Sequence, residues 1–252
     1  MSPETSALVQ LALRWIHFVA GITWIGLLFF FNLVNVDFMK QLDPALKGKV
    51  FPALMSRALW WFRWSALLTV IAGVTYWMMI LGSDVRAAHA LADSGSVSRA
   101  ETSVFAAASG GRAAISFFAL WTAAWWVTYV AVCQIKVDRP ILVGLVYVAA
   151  VSIAAALFVR WNDHGWESSR LLAIGVGGGM GWIMFFNVWG VIWRLNKPLI
   201  RWTEAAAATG APVPPQAASC ARQSYLTSRA NFALSLPMLF FMAAASHYTL
   251  FR

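Results

Sequence analysis

Six long apolar runs constrain this chain more than any other feature of its sequence. They cover residues 7–36, 59–81, 113–135, 140–160, 170–194 and 229–250. Each has at least the roughly 20 residues that an α-helix needs to cross the hydrocarbon core of a bilayer. The sequence therefore predicts an all-α, polytopic membrane helix bundle with about six transmembrane helices, forming one domain over residues 1–252. Residues 82–112 and 205–219 are predicted as connections, the first with at most a short surface helix and the second a Pro/Ala loop.

The composition agrees with a membrane protein whose main partner is the lipid bilayer. Sixty per cent of the residues are hydrophobic and only 12% are charged, whereas soluble domains carry roughly 25% charged residues. The net charge of +9 arises in loops and helix ends, where it orients the chain and meets anionic lipid, so it does not indicate nucleic acid binding. Cys133 and Cys220 form no CxxC or CxxCH motif, which excludes covalent c-type haem and thiolate metal sites.

The distribution of lysine and arginine predicts the orientation of the bundle. Twelve of these residues fall on the side that carries loops 1–2, 3–4 and 5–6, and seven fall on the other side. The richer side is expected to be cytoplasmic, so both termini should lie outside. The same topology collects all four histidines toward the outer face: His17, His89, His164 and His247.

The first apolar run, RWIHFVAGITWIGLLFFFNLV at residues 14–34, contains His17 among apolar side chains. An imidazole at that depth is costly without a partner and is by default a functional candidate. Gly21 at i+4 and Trp24 at i+7 share its helix face, which leaves room for a planar cofactor beside a flat ring. Imidazole is the usual protein ligand of haem iron, so b-type haem at His17 is one hypothesis. The alternative is a hydrogen bond that packs this helix against a neighbouring carbonyl or serine.

Two later runs add further candidates. His247, in FFMAAASHYTL, lies at the end of span 6 where span 1 begins, so it is either a second axial ligand or an interfacial side chain. Span 5 carries two overlapping GxxxG pairs, which indicate close helix packing or space for a flat ligand. The pairs are Gly175 with Gly179 and Gly177 with Gly181. Asn187 in the same span requires a hydrogen-bond partner, expected on another helix.

The charged residues near the membrane leave the role of Arg57 open and do not favour cation transport. Arg57 shares a helix face with Trp60, Trp61 and Trp64, where a guanidinium either snorkels to headgroups or holds an anionic group. All ten acidic residues lie in termini, loops or helix ends. A proton- or cation-coupled pump therefore has no obvious carboxylate carrier in mid-membrane.

Four blocks carry a resemblance to a known family. RWIHFVAGITWIGLLFFFN, SRALWWFRWSALLTVIAG, GWIMFFNVWGVIW and SRANFALSLPMLFFMAAASH resemble, in order along nearly the whole chain, the membrane domain of the bacterial urate hydroxylase family (PuuD). This resemblance implies purine catabolism in the bacterial inner membrane. The outer side, on which the lysine and arginine distribution places both termini, is then the periplasm. The implied reaction oxidises urate to 5-hydroxyisourate, with water supplying the hydroxyl oxygen and cytochrome c taking the electrons. The first block also resembles the His-bearing helix of CopD- and HemJ-type membrane proteins, some of which bind haem b.

The resemblance has consequences for partners. Members of the family usually carry a C-terminal cytochrome c domain, whereas this chain reaches Arg252 without a CxxCH motif. A separate cytochrome c, or another electron-transfer protein, is therefore the expected partner. The alternatives are a b-type haem electron-transfer or accessory subunit of a respiratory or photosynthetic membrane complex without urate activity, or a structural subunit without a cofactor.

Candidate residues for this chemistry follow from charge and position. His17 and His247 are expected to ligate iron or to handle protons. Urate is a monoanion at neutral pH, so its site requires positive charge and a flat apolar wall. Arg14 is the best placed, three residues before His17 and nearly on the same face, although it could equally pair with a haem propionate. The other membrane-proximal candidates on the outer side are Arg112, Arg160 and Arg170, with Trp161 and Trp166.

Overall fold

The protein is all-α, as its apolar runs predict. The computed structural model describes residues 2–94, 111–134, 138–162 and 164–251, and all regular structure within them is helical. Helix α1 spans Pro3–Phe29 and continues through a π-helical turn, Phe30–Asn35, into α2, Val36–Gln41. The helices that follow are α3 (Pro44–Asp93), α4 (Gly111–Cys133) and α5 (Pro140–Trp161). Helix α6 (Ser169–Phe186) passes through a second π-helical turn, Asn187–Ile192, into α7 (Trp193–Thr209), and α8 spans Gln216–Ala244.

Five of the helical segments described are long and apolar enough to cross a membrane. They are Glu4–Gln41, Leu46–Asp93, Ala113–Cys133, Pro140–Trp161 and Ser169–Thr209. Helix α8, which contains residues 229–244 of the sixth predicted run, is not among them. Arg229, Asn231 and Ser235 reduce its apolar character, but Asn231 and Ser235 are fully buried. The polar face of α8 therefore points into the bundle.

The helices extend beyond the predicted runs, which corrects two connections. The run 59–81 is only the middle of α3, whose 50 residues span about 75 Å at roughly 1.5 Å per residue. Residues 82–93 continue α3, while 95–110 of the same predicted connection lie outside the described residues. The predicted loop at 205–219 is reduced to 210–215 because the alanine run extends α7 until Gly210 ends it with a φ of +70°.

Helix α6 lies between the aromatic side chains of its neighbours. The indole N–H of Trp77 in α3 donates to the carbonyl oxygen of Leu171 at 3.0 Å. The indole N–H of Trp121 in α4 donates to that of Gly175 at 2.7 Å. A Cβ at Gly179 would overlap the Trp125 ring. Gly175 and Gly179 thus pack against protein rings, which fill the space that a flat ligand would require there, whereas a Cβ at Gly181 would meet no described atom within 4 Å.

The chain termini mark one end of the bundle, which we call the outer end. The first residues of α1 and α6 and the last residues of α3 and α8 lie there. The backbone N–H of Ser168 donates to Asp84 at 3.0 Å, and that of Leu250 donates to the hydroxyl of Ser169 at 2.9 Å. At the opposite, inner end, α3 and α7 approach closely, since a Cβ at Gly48 would lie 3.2 Å from that of Ala207.

Candidate functional site

His17 is seated between α1 and α3 in the outer half of the bundle. Its Nδ1 lies 2.8 Å from the carbonyl oxygen of Thr69. Because a carbonyl only accepts, Nδ1 carries the hydrogen, and Nε2 of the neutral ring holds a free lone pair. A Cβ at Gly73 would lie 2.8 Å from Cε1 and Nδ1 of the imidazole. Only glycine at position 73 therefore lets the ring reach α3.

The hydrogen bond to Thr69 is the helix-packing contact that was the alternative prediction for His17, and it leaves Nε2 of the ring available. The hydrogen bond to Thr69 orients the ring, in the way that a backbone carbonyl commonly orients a metal-ligating histidine. Among the described residues no side chain or backbone group is hydrogen-bonded to Nε2. His17 can therefore offer Nε2 to a proton or to an iron atom.

Gly21 and Trp24 belong to the same interface but face protein atoms. A Cβ at Gly21 would lie 3.7 Å from the methyl group of Thr69, so this methyl group takes the space beside the glycine. The Trp24 side chain is 2% exposed. Its indole N–H is buried and has no hydrogen-bond partner in the part of the chain that the structure describes. Cofactor contacts by these two residues stay a prediction.

Two arginines converge on one tyrosine ring beside His17. The guanidinium carbon of Arg14 lies 6.0 Å from the centroid of the Tyr76 ring, and that of Arg170 lies 5.4 Å from it. Tyr76 follows Gly73 by three residues on α3, so it lies about one turn further out than His17. We call Arg14, Arg170 and Tyr76 the arginine–tyrosine site.

No ion pair among the described residues neutralises the charge of the arginine–tyrosine site. The ion pairs within the described ranges join Lys40 to Asp37, His89 to Asp93 and His164 to Glu167. None of them involves Arg14 or Arg170. The Nε of Arg170 is buried without a hydrogen-bond partner among the described residues. Two neighbouring guanidinium groups without a carboxylate favour an anion, and the tyrosine ring offers it a flat wall.

The fold thus brings together three of the residues that sequence reasoning selected, and adds others. Arg14 and His17 in α1 meet Arg170 at the start of α6 on the surface of α3. Tyr76 and Gly73 were missed. In VIAGVTYW, Gly73 is followed at i+3 by the aromatic Tyr76 on the same helix face. This pattern is the signal that would have indicated a recess on α3 beside an aromatic ring.

His247 lies beyond the end of α8, and no hydrogen bond joins it to His17 among the described residues. Helix α8 ends at Ala244, so the predicted extension of span 6 to residue 250 is wrong. The following residues turn back, and the N–H groups of Leu250 and Phe251 donate to the hydroxyl of Ser169. His247 lies exposed in this turn, with its N–H donating to the carbonyl oxygen of Ala244.

The remaining candidates are placed elsewhere. Trp166 packs its ring on Phe117, with centroids 5.9 Å apart. Arg160 and Trp161 are exposed at the end of α5. The side chain of Arg112 lies outside the described residues. No group of three His, Cys, Asp or Glu side chains that could hold a metal ion occurs among the residues described.

The residues present fit one axial ligand of a haem better than two. Nε2 of His17 is oriented and free, and the two arginines nearby match the charge of haem propionates. The second predicted ligand, His247, is in the exposed turn after α8, and no hydrogen bond joins it to His17 among the described residues. Ligation by both histidines stays a prediction that no contact in the structure supports.

Comparison with known families gives one match. The sequence model described as urate oxidase N-terminal matches residues 44–252. The matched segment contains α3 to α8 and therefore Thr69, Gly73, Tyr76 and Arg170. Helix α1, with Arg14 and His17, precedes it. No curated protein and no solved structure matches the chain.

Proposed function

Because the chain belongs to the urate oxidase N-terminal family, we propose that it is a membrane-bound oxidoreductase that converts urate to 5-hydroxyisourate. In this reaction urate and one water molecule give 5-hydroxyisourate, two protons and two electrons. We further propose that a cytochrome c receives the electrons. The five apolar helices support a location in the bacterial inner membrane.

The observation that carries this proposal is the arginine–tyrosine site. Urate is a flat monoanion, and Arg14 and Arg170 supply positive charge from two different helices around the Tyr76 ring. Hydrogen bonds to charged groups contribute about 1.5–3 kcal/mol each, so each arginine should account for roughly a 10- to 100-fold gain in urate affinity. The aromatic ring would stack on the purine plane.

His17 would act at the inner side of the bound urate. Its Nε2 lone pair has two possible uses, and they exclude each other. As a ligand, Nε2 would hold a b-type haem, which supplies one-electron transfer when bound. As a base, Nε2 would accept a proton released when water adds to the purine. The optical spectrum of the purified protein distinguishes these roles, because only the first produces a Soret band that depends on His17.

Urate turnover with an added electron acceptor tests the proposal. The purified protein should consume urate and reduce cytochrome c in a ratio of two cytochromes per urate. Arg14→Gln and Arg170→Gln should each raise the KM for urate roughly tenfold or more. Arg86→Gln is the matched control, because Arg86 is an exposed arginine at the outer end of α3, and its KM should stay unchanged.

Two results would contradict the enzyme proposal. One is a folded protein that consumes no urate with several acceptors. The other is an equal effect of the Arg14, Arg170 and Arg86 substitutions on KM. A dithionite-reducible haem without urate turnover would instead support an electron-transfer subunit.

A further inference from the structure

Arg63 is enclosed by three indole rings in the inner half of the bundle. Its guanidinium carbon lies 3.8 Å from the centroid of Trp193 and 5.7 Å from those of Trp64 and Trp189. The indole N–H of Trp189 donates to the backbone carbonyl of Arg63 at 3.2 Å. We call these four residues the Arg63 cage. It joins α3 to the second π-helical turn and to α7.

Within the part of the chain that the structure describes, no group accepts a hydrogen bond from the guanidinium of Arg63. No ion pair or side-chain hydrogen bond of Arg63 occurs among the described residues. Its Nε is buried without a partner, whereas its Nη groups are not among the buried atoms. Indole faces attract the positive charge but do not replace the in-plane acceptors that a guanidinium fork binds. The accessible Nη edge of the guanidinium is therefore suited to bind an oxyanion.

The neighbouring side chains place the Arg63 cage at the boundary of the bilayer. Trp60, Trp61 and Trp64 are 46%, 59% and 42% exposed, and exposed Leu68 follows toward the middle of α3. Indoles between apolar and polar surface are typical of the headgroup level. Arg57 lies exposed on the polar side. The segment between Asp43 and Asp84 contains no acidic residue, so the local charge is positive.

We propose that the Arg63 cage binds the phosphodiester of an anionic phospholipid from the leaflet at the inner end. The Nη groups would donate to the phosphate oxygens, and the exposed indoles would contact the glycerol and upper acyl chain. A net negative headgroup is favoured because no carboxylate among the described ion pairs offsets the positive charge of Arg63. The bound lipid would connect α3 with α7 across the π-helical turn.

Lipid binding to the full-length protein in detergent tests this inference. Native mass spectrometry would compare dioleoylphosphatidylglycerol with dioleoylphosphatidylcholine, and inorganic phosphate would serve as the competitor. We expect phosphatidylglycerol to bind the wild type at least about tenfold more tightly than phosphatidylcholine, with no competition by millimolar phosphate. Arg63→Gln should remove this preference, and Arg63→Lys should weaken it because lysine lacks the planar fork.

Arg194→Gln is the matched control, since Arg194 is exposed and adjacent to Trp193. It should keep the full preference for phosphatidylglycerol. Circular dichroism of each variant in lipid-free detergent would show whether its helices form. If Arg63→Gln does not fold, Arg63→Lys, which retains the positive charge, still tests the role of the guanidinium. An unchanged preference in folded Arg63→Gln or Arg63→Lys, an equal loss in Arg194→Gln, or displacement of the lipid by phosphate would overturn the proposal.

Discussion

Gly73→Ala should displace His17 without unfolding the bundle. The new Cβ would lie 2.8 Å from two atoms of the imidazole, whereas carbon atoms in contact are about 3.5–4.0 Å apart. The ring must therefore retreat by about 0.7–1.2 Å. Such a shift would stretch the 2.8 Å hydrogen bond to the Thr69 carbonyl beyond the usual limit of about 3.2 Å.

The expected free-energy change of unfolding is small because its contributions oppose one another. Crowding costs about 1–3 kcal/mol and the lost hydrogen bond about 0.5–1.5 kcal/mol. The higher helix propensity of alanine restores about 1 kcal/mol. We therefore expect a net destabilisation of about 0.5–3.5 kcal/mol, together with a large effect on the binding of a proton or ligand at Nε2.

The assay combines thermal unfolding with the optical spectrum and with urate-dependent reduction of cytochrome c. Gly82→Ala on the same helix is the matched control, because a Cβ there would meet only the flexible end of Arg86, at 3.4 Å. We expect this control to be at least as stable as the wild type and fully active. The reasoning would be refuted if Gly73→Ala and Gly82→Ala showed the same spectrum and activity.

Three further predictions concern topology, haem and the buried polar contacts. Reporter fusions after Arg139 and at the C-terminus should indicate opposite sides of the membrane, and matching signals would contradict the proposed topology. His17→Ala should abolish or strongly change the Soret band of the purified protein, whereas an unchanged band would exclude ligation at this position. In the wild type, Nδ2 of the buried Asn187 donates to Oδ1 of Asn231 at 2.7 Å. Asn231→Ala removes this acceptor and should lower the free energy of unfolding by about 1–3 kcal/mol. Leu236→Ala, an exposed site on the same helix, should change it by less than about 0.5 kcal/mol.

The helical class and several functional candidates could be predicted from local properties of the sequence. The length of an apolar run determines whether a helix can cross a bilayer, and each residue contributes to it independently of the rest of the fold. An imidazole within such a run is costly to bury without a partner, so the sequence alone indicates His17 as a functional candidate. The match over residues 44–252 agrees with the resemblance to urate-oxidising proteins seen in the sequence blocks.

Helix ends were less predictable because they depend on contacts made elsewhere. Helix α3 continues to Asp93, although its apolar run ends more than two turns earlier. Helix α8 stops at Ala244 because the last residues bond to Ser169 at the start of α6. Hydropathy contains no information about that partner, and so the end of this helix was predicted at residue 250 instead of Ala244.

Only the tertiary structure decided what His17 and the arginines do together. The carbonyl of Thr69 that orients the imidazole is a backbone group, present at every residue, and no sequence pattern distinguishes it. Arg14 and Arg170 are far apart along the chain and become neighbours only because α1 and α6 pack against the same stretch of α3. A pattern read along one helix shows which side chains share a face. The packing of other helices on that face determines which charges meet, and at Tyr76 it brings together two positive charges with no carboxylate among the described contacts.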